Sequence, residues 1–265
     1  MQINTSVFSA HLQQYLTSQE TLHSEHQHIL LACMPKSASR TALALLEGHA
    51  SLDHISLNET DSNLSESLDS LKLLLYQGRN WVAHHHVHCA LTLPTQLKRF
   101  SIRTITLTRN LFDVCVSIRD HMLKAARHGG LVMFAHIIPH TPEFADWSEQ
   151  EQLDFIIVMA IPWYVKFYAS WHMIAPSQDY HPLWIDYDQL IGHPLETTRT
   201  MFAHCGLDYD VESLSCLVAT VMERQPNFNV DRRGRGEESL TKLQKDKIRH
   251  LCCHYPAVDF SRLGV

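Results

Sequence analysis

A short apolar run near the start of this 265-residue chain limits the folds it can adopt more than any other feature. The run Ile29–Met34 (ILLACM) ends at Pro35, and the helix-forming segment Thr41–Glu47 follows after a polar loop. Six residues without polar alternation are typical of a strand buried on both faces of a parallel sheet. The sequence therefore predicts a strand, a loop and a helix in succession, which is the repeating unit of α/β proteins.

The same alternation of strand candidates and helical segments continues along the chain. Further strands are predicted at Trp81–Ala83, Ile102–Thr108 and Leu183–Asp186. Helices are predicted over 5–20 and 111–127, from Ser148 to about Ile174 with a kink at Pro162, and from Pro194 to Gly206. Residues 51–70 are predicted to form a loop with helical patches. The whole pattern predicts an α/β fold with a central, mostly parallel sheet flanked by helices.

Composition and charge narrow the class of protein. A chain that is 45% hydrophobic and 19% charged has enough apolar residues for a folded core. Its formal net charge of −6 argues against a general nucleic-acid coat protein, and no nucleic-acid partner is expected. The seven cysteines include no Cys-x-x-Cys pair, which favours reduced, buried thiols in a cytoplasmic protein.

We expect neither a signal peptide nor a transmembrane segment. The N-terminal residues have no basic start and no long apolar core. The longest apolar candidate, Phe155–Ala175, is interrupted by Pro162, Lys166 and His172, whereas a membrane span needs roughly 20 apolar residues.

The loop at 35–41 (PKSASRT) has the chemistry of an anion site. Ligands of parallel sheets bind beyond the carboxyl ends of the strands, and the N–H groups at a helix start favour negative charge. Positive charge comes from Lys36 and Arg40, and hydroxyl donors come from Ser37, Ser39 and Thr41. The glycines and the Gly-Lys-Ser/Thr end of a Walker A loop are absent. An ordinary turn that begins a helix is the alternative.

Two later segments also suit phosphate binding. Arg109 follows a predicted strand, and Ser117 lies about two turns into the next helix, so both can reach an anion above the helix start. Asp113 in the first turn of that helix complements the helix dipole. The loop at 231–237 (DRRGRGE) carries three arginines and two glycines, which suits bidentate capture of phosphate. A surface arginine and a solvated loop are the alternatives.

In order and spacing these segments resemble the sulfotransferases that use 3′-phosphoadenosine 5′-phosphosulfate (PAPS). The family's P-K-S-G-T-T-W loop resembles residues 35–41, and its R-N-P-x-D-x-x-x-S motif resembles Arg109, Asn110, Asp113 and Ser117. Its Y-E-D-L…P…F-x-x-x-G segment resembles Tyr187-Asp188-Gln189-Leu190, Pro194, Phe202 and Gly206, and its R-K-G loop resembles Arg232-Arg233-Gly234. The resemblance covers about residues 29–240.

The resemblance implies a P-loop-like three-layer fold and a sulfotransferase that binds PAPS and releases 3′-phosphoadenosine 5′-phosphate (PAP). Residues 1–265 would form one sulfotransferase domain, with a helical extension at 1–28 and a helical or lid insertion at 129–180 that shapes the acceptor pocket. The implied cofactor-binding residues are Lys36, Ser37, Ala38, Ser39, Arg40, Thr41, Arg109, Ser117, Tyr187, Arg232, Arg233 and Gly234.

The sequence departs from the family pattern at several positions. Ala38 replaces a glycine, so that position must tolerate a Cβ atom. Arg40 replaces a hydroxyl residue, Thr41 replaces the adenine-stacking tryptophan and Leu111 replaces a proline. The tryptophan after the R-K-G loop is also missing. These departures suggest a divergent, bacterial-type or carbohydrate-type member.

Sulfuryl transfer needs a cation for the leaving phosphate and a base for the acceptor. Lys36 suits the first role, which the resemblance also implies. For the second role the family places a histidine some twenty residues before the arginine, and here residues 84–88 read His-His-His-Val-His. His86 is the preferred base, and His85 and His88 are the alternatives. A metal site is a further alternative for this cluster, but no carboxylate or Cys pair accompanies it, so no metal is expected.

Other histidines and the acceptor are less constrained by the sequence. We interpret His121, His128, His136 and His140 as pocket-lining or surface residues. We interpret an aromatic stripe at 163–171 as core, and the wall of an apolar or aromatic acceptor pocket is the alternative. The acceptor is expected to be a hydroxyl or amine of a small molecule, a lipid or a carbohydrate. A P-loop-type nucleotide kinase and a non-catalytic PAP- or nucleotide-binding protein are the alternative functions, and a homodimer is compatible with all three.

Overall fold

The computed structural model describes residues 5–17, 21–22, 24–57, 68–127, 137–138, 141–224 and 234–265. Within these residues a sheet of five parallel strands runs in the order β2-β3-β1-β4-β5. The strands are β1 (His28–Cys33), β2 (Asp53–Ile55), β3 (Trp81–His85), β4 (Ile102–Thr108) and β5 (Leu183–Asp186). Helices flank the sheet, so the predicted α/β fold with a parallel sheet is confirmed.

The helices of the described chain connect these strands and close the C-terminal part. They are α1 (Thr5–Thr17), α2 (Ser39–Glu47), α3 (Ser70–Leu75), α4 (Leu93–Arg99), α5 (Leu111–Arg127), α6 (Glu149–Met159), α7 (Ile161–Ser177), α8 (Tyr187–Gly192), α9 (Pro194–Cys205), α10 (Val211–Glu223), α11 (Arg235–Ser239) and α12 (Lys242–Cys253). Short 3₁₀ helices lie at Pro142–Asp146 and Ser261–Leu263.

The central strand β1 has both faces buried, as its unbroken apolar run predicts. Ile29 and Leu31 pack in the hydrophobic cluster that includes α2, α9 and α10. Leu30 and Ala32 pack in the cluster on the opposite face, which includes α5, α6 and α7. The alternation places a helical layer on each face of the sheet, which is the three-layer arrangement.

Most predicted elements agree with the structure, and two differ. β4 and α5 begin and end as predicted, and α9 ends at Gly206, which adopts a left-handed conformation with φ 64°. β2 lies inside the segment predicted as loop, because three residues at a sheet edge are too short to show a periodic pattern. The helix predicted from Ser148 to about Ile174 is two helices that meet at Ala160. Pro162 lies in the first turn of α7, where its missing N–H costs no hydrogen bond.

One stretch of the described chain, Glu149–Ser177, is long and apolar enough to cross a membrane by length and composition. Its mean hydropathy reaches 1.3, and 61% of its most apolar part is buried inside the protein. The aromatic side chains of α7 are buried as the core prediction expects: Trp163, Tyr164, Phe167, Tyr168 and Trp171. This is the packing of a core helix, so the stretch does not clearly indicate a membrane span.

The parallel strands bring the predicted site segments to one edge of the sheet. β1 ends before Pro35, β3 ends before His86, β4 ends before Arg109 and β5 ends before Tyr187. Because β1 pairs with both β3 and β4, the first three of these positions are neighbours. We call this edge the carboxyl edge of the sheet.

Candidate active site

The loop between β1 and α2 has the backbone of an anion-binding loop. Lys36 and Ala38 both adopt left-handed conformations, with φ of 68° and 62°. Each such non-glycine residue costs about 1–3 kcal/mol, and this strain is found mainly where a functional site requires it. Ala38 is the N-cap of α2, and no side chain caps the helix. The N–H groups of the first turn of α2 therefore lack a capping side chain, which suits an anion above the helix start.

The hydroxyl groups of this loop hold the loop itself. The Ser37 hydroxyl donates to the Met34 carbonyl at 2.6 Å and is fully buried. The Ser39 hydroxyl interacts with the buried Cys33 thiol, and Tyr164 of α7 donates to the Pro35 carbonyl at 3.3 Å. The N–H group of Ser37, which the resemblance implies as a cofactor contact, donates to the same Met34 carbonyl at 3.3 Å, so both donors of this residue hold the turn.

Arg109 joins three strand ends at the carboxyl edge. Its Nη1 donates to the Lys36 carbonyl at 3.0 Å, and its guanidinium lies 3.9 Å above the ring of Tyr187. The buried Nε atom of Arg109 has no hydrogen-bond partner among the described residues. A buried cationic donor without a protein partner is costly, and an anion at this position would satisfy it.

Tyr187 is held in place by the end of β5. The Asp186 carboxylate accepts from Thr108 Oγ1 at 2.7 Å and from Arg262 Nη1 at 2.9 Å. Asp186 and Gln189 also form the capping box that begins α8. These contacts fix the helix start that carries Tyr187 under the Arg109 guanidinium.

The loop is strongly electropositive. Burial, followed by repulsion from Arg109 and Arg40, lowers the pKa of Lys36 to about 8. Burial, followed by repulsion from Lys36, Arg40 and Lys124, lowers the pKa of His121 to about 4. Burial is the larger cause of both shifts, and the like charges of Lys36, Arg40 and Lys124 add to it, with Asp120 opposing the shift at Lys36. Such a concentration of positive charge is the expected environment for a multiply charged anion.

His121, which we interpreted as a pocket-lining or surface residue, lies near Lys36 and Arg40 of this candidate site. It lies on α5 one turn after Ser117, and Ser117 is buried on the same helix. With a pKa near 4, the His121 ring is neutral at pH 7. In the sequence, His121 could have been linked to the site only through its position four residues after Ser117, which places the two side chains on one helix face.

Asp113 has a more specific role than complementing the helix dipole. Its carboxylate accepts the Gly234 N–H at 3.1 Å and the Gly236 N–H at 2.8 Å. The end of the basic loop is therefore tied to the first turn of α5, directly after Arg109. The side chain of Asn110 supplies the N-cap of that helix by accepting the N–H groups of Phe112 and Asp113.

The arginines of the basic loop separate into two groups. Arg235 donates to Asp120 at 2.6 Å, so its charge is paired inside the protein. Arg232 and Arg233, which the resemblance implies as phosphate contacts, lie outside the described residues, as do His128, His136 and His140. Gly234 is described and has a φ of 75°, a conformation that favours glycine.

The histidine cluster divides between the two faces of the sheet. His84 and His86 lie near Cys33, with their rings 5.0 Å apart and nearly perpendicular. His85 points to the other face because side chains alternate along β3. His88 lies against α7, where its Nε2 donates to the Trp163 carbonyl at 3.2 Å. Among the candidate bases, His86 is thus the one beside the end of β1.

A hydrogen bond fixes the protonation of the His86 ring. Nδ1 lies 2.8 Å from the Cys33 carbonyl oxygen, which can only accept, so Nδ1 carries the proton. The lone pair of the neutral ring is then on Nε2, the nitrogen that can accept a proton from a substrate. The neighbouring His84 is deeply buried, and burial followed by repulsion from His86 and His85 holds its pKa well below 6.5.

Comparison with known proteins is informative at the level of structure. No protein-family model matches the sequence, and no curated protein matches it. Among solved structures, the chain is similar to mouse sulfotransferase SULT7A1 complexed with PAP, with a TM-score of 0.62 and 16% sequence identity. The match covers 97% of this chain and 93% of the mouse chain. At this identity the likeness concerns the fold, and the fold of the chain is sulfotransferase-like.

The contact between Gly236 and α5 gives a test of the tie between the basic loop and the site. A Cβ atom at Gly236 would lie 2.2 Å from the Phe112 carbonyl carbon, which is backbone and cannot move aside. We expect Gly236→Ala to lower the free energy of unfolding by about 1–3 kcal/mol, as overpacking does. Denaturant unfolding followed by circular dichroism measures this change.

Gly48→Ala is the matched control for this substitution. A Cβ atom at Gly48 would also be crowded, but by the flexible end of the Leu217 side chain, which can rotate away. An equal loss of stability in the two variants would contradict the backbone contact as the cause.

Proposed function

We propose that this protein is a PAPS-dependent sulfotransferase that transfers a sulfuryl group to a hydroxyl or amine acceptor. The observation that carries the proposal is the concentration of Lys36, Arg40 and Arg109 around the β1–α2 loop, where burial followed by repulsion from the two arginines lowers the pKa of Lys36 to about 8. The unpartnered Nε of Arg109 and the uncapped start of α2 add donors at the same place. The sulfotransferase-like fold supports this function over other anion-binding functions.

The proposed binding mode assigns each anionic group of PAPS to residues of this chain. The loop Lys36, Ser37, Ala38, Ser39, Arg40 and Thr41 would hold the 5′-phosphosulfate. Arg109, Ser117 and the loop Arg232, Arg233 and Gly234 would hold the 3′-phosphate, with Tyr187 supporting Arg109. PAPS supplies the sulfuryl group and leaves as PAP.

The chain supplies charge stabilisation and a base. Lys36 donates to the phosphate oxygen that gains negative charge as its bond to sulfur breaks. His86 Nε2 takes the proton of the acceptor while the acceptor oxygen or nitrogen forms the new bond to sulfur. The Nδ1 bond to Cys33 orients the ring for this step and stabilises the imidazolium that forms. His88 is favoured less because it packs against α7.

The remaining parts of the proposal rest on the resemblance. The chain would be one domain, with residues 129–180 bordering the acceptor, which is a small molecule, a lipid or a carbohydrate. We also propose a cytoplasmic location. The nucleotide kinase and the non-catalytic binding protein are distinguished from the sulfotransferase by the next experiment.

PAP binding and PAPS-dependent turnover test the proposed function. Calorimetry should show one PAP site, and Lys36→Ala should reduce turnover about 10²–10³-fold, as loss of one charge-stabilising donor does. Lys98 is a surface lysine of α4, and Lys98→Ala is the control, which should leave PAP binding and turnover unchanged. Absence of PAP binding would refute the proposal. Binding without turnover would favour a non-catalytic protein, and Mg²⁺-dependent phosphoryl transfer would favour a kinase.

The pH dependence of PAP binding tests the charge of Lys36. Burial and the neighbouring arginines disfavour the ammonium, so it is present below and lost above a pH of about 8 in the free protein. PAP affinity should be constant near pH 7 and then fall by up to about tenfold per pH unit, as one proton must be regained. Calorimetry between pH 7 and 9.5 measures this fall.

Lys36→Arg is the control for this pH dependence. A guanidinium stays protonated throughout the range, so the fall in affinity above pH 8 should be absent in this variant. An identical alkaline fall in both proteins would show that another group is titrating.

Substitution of His86 tests whether this residue acts as the base in turnover without contributing to cofactor binding. His86→Gln should lower kcat by about 10²–10⁴-fold, the usual contribution of a general base, and leave the Kd for PAP unchanged. His204→Gln is the matched control, because His204 also places a ring nitrogen on a backbone carbonyl, that of Thr104, at 3.1 Å. Normal turnover in His86→Gln would transfer the role to His85 or His88.

A further inference from the structure

Three buried side chains at the carboxyl edge form a cluster, and the proposed sulfotransferase reaction uses only one of them, His86. Cys33, His84 and His86 each offer one ligand atom, and these atoms lie within 4.8 Å of one another. The register of the sheet creates the cluster. Ala32 pairs with His85, so Cys33 at the end of β1 lies level with His86 just beyond β3. The sequence alone did not reveal the third member, because Cys33 is 51 residues before His84.

We propose that Cys33, His84 and His86 form a binding site for a thiophilic divalent cation such as Zn²⁺, and that its occupancy inhibits turnover. One thiolate and two imidazoles are a donor set that Zn²⁺ binds well, and three protein ligands leave one coordination position open. With Zn–S near 2.3 Å and Zn–N near 2.0–2.1 Å, tetrahedral ligands lie about 3.3–3.6 Å apart. Cys33 Sγ and His86 Nδ1 are already 3.5 Å apart, and the widest pair, at up to 4.8 Å, would have to approach by about 1.2–1.5 Å on binding.

The protons balance without any redox step. Burial raises the pKa of the Cys33 thiol, so the thiol is protonated when the site is empty. The cation replaces this proton, which is released to water, because a coordinating thiol is deprotonated by the metal charge. His84 is neutral in its buried position and binds through a lone pair without losing a proton.

Inhibition follows from the tautomer of His86, and this part rests on the proposed function. Nδ1 of His86 carries the proton and donates it to the Cys33 carbonyl. Coordination through Nε2 occupies the lone pair that would accept the acceptor proton. Coordination through Nδ1 moves the ring proton to Nε2. In both cases His86 no longer acts as a base.

Cobalt binding tests the site without any reference to catalysis. The experiment uses a Cys253→Ser background, which removes the exposed thiol next to the exposed pair His250 and His254. Co²⁺ should bind with the thiolate charge-transfer band and the intense visible bands of a tetrahedral site, and Zn²⁺ should displace it. A titration without a thiolate band would overturn the proposal.

Substitutions of the ligands identify the site. Cys33→Ser should remove the charge-transfer band, and His84→Gln should weaken Co²⁺ binding at least tenfold. Cys205→Ser, another fully buried thiol that is not in the cluster, is the control and should retain the band. Zn²⁺ should raise the Tm of the background protein and not that of Cys33→Ser, which also shows whether the variant folds. A band that survives Cys33→Ser would refute the assignment.

Turnover with and without Zn²⁺ tests the inhibition. Zn²⁺ should inhibit over the concentration range in which it displaces Co²⁺, and a chelator should restore activity. Inhibition is measured relative to the metal-free rate of each protein. The inhibition constant for Zn²⁺ should be at least tenfold higher in His84→Gln than in the background protein. Equal inhibition in both proteins would refute the inhibitory role. Absence of sulfuryl transfer in the metal-free protein would refute the proposed function alone, because the cobalt spectrum needs no acceptor.

Discussion

The position of β1 between β3 and β4 is the constraint on which the candidate site depends. Residues 29–33 of β1 are buried on both faces and apolar, so the charged residues of the site follow after this strand ends. Lys36, His86 and Arg109 all follow directly after the ends of these three strands. Their proximity is therefore a consequence of strand order and register, and a shift of one residue in β1 would move the loop, Cys33 and the Arg109 contact together.

The concentration of like charge at this edge has an energetic cost that the surrounding contacts offset. Desolvation and mutual repulsion disfavour the charged form of Lys36, which is why its pKa falls. The Arg109 guanidinium is stabilised by the Lys36 carbonyl and by the Tyr187 ring, and Arg235 is neutralised by Asp120. The Asp113 carboxylate accepts hydrogen bonds from two backbone N–H groups and does not pair with a cation of the described chain. Asp113 thus holds the backbone of the basic loop in place without neutralising such a cation.

How far the sequence predicts the structure depends on whether a feature is local. β1, β4, α5 and the capped start of α6 at Ser148 follow from short apolar runs and cap signals, and the structure confirms them. β2 and the break at Ala160 were missed because tertiary pairing and packing decide them. Among site residues, the spacing predicts which side chains follow the strand ends. Asp113 is more than 120 residues away from Gly234 and Gly236 in the chain. A single sequence contains no pattern that would predict these hydrogen bonds.

The bond between His86 and Cys33 links the proposed catalysis with the proposed metal site. A base needs a ring whose orientation and tautomer are fixed, and a backbone carbonyl at the end of a central strand provides this with little mobility. The same carbonyl belongs to a residue whose side chain is a thiol, and the next inward position of β3 on that face is His84. Orienting the base on this strand therefore also assembles a thiol and two imidazoles. Replacing Cys33 with an apolar residue of similar size would preserve the backbone carbonyl and remove the thiolate, so the metal site is separable from the positioning of the base.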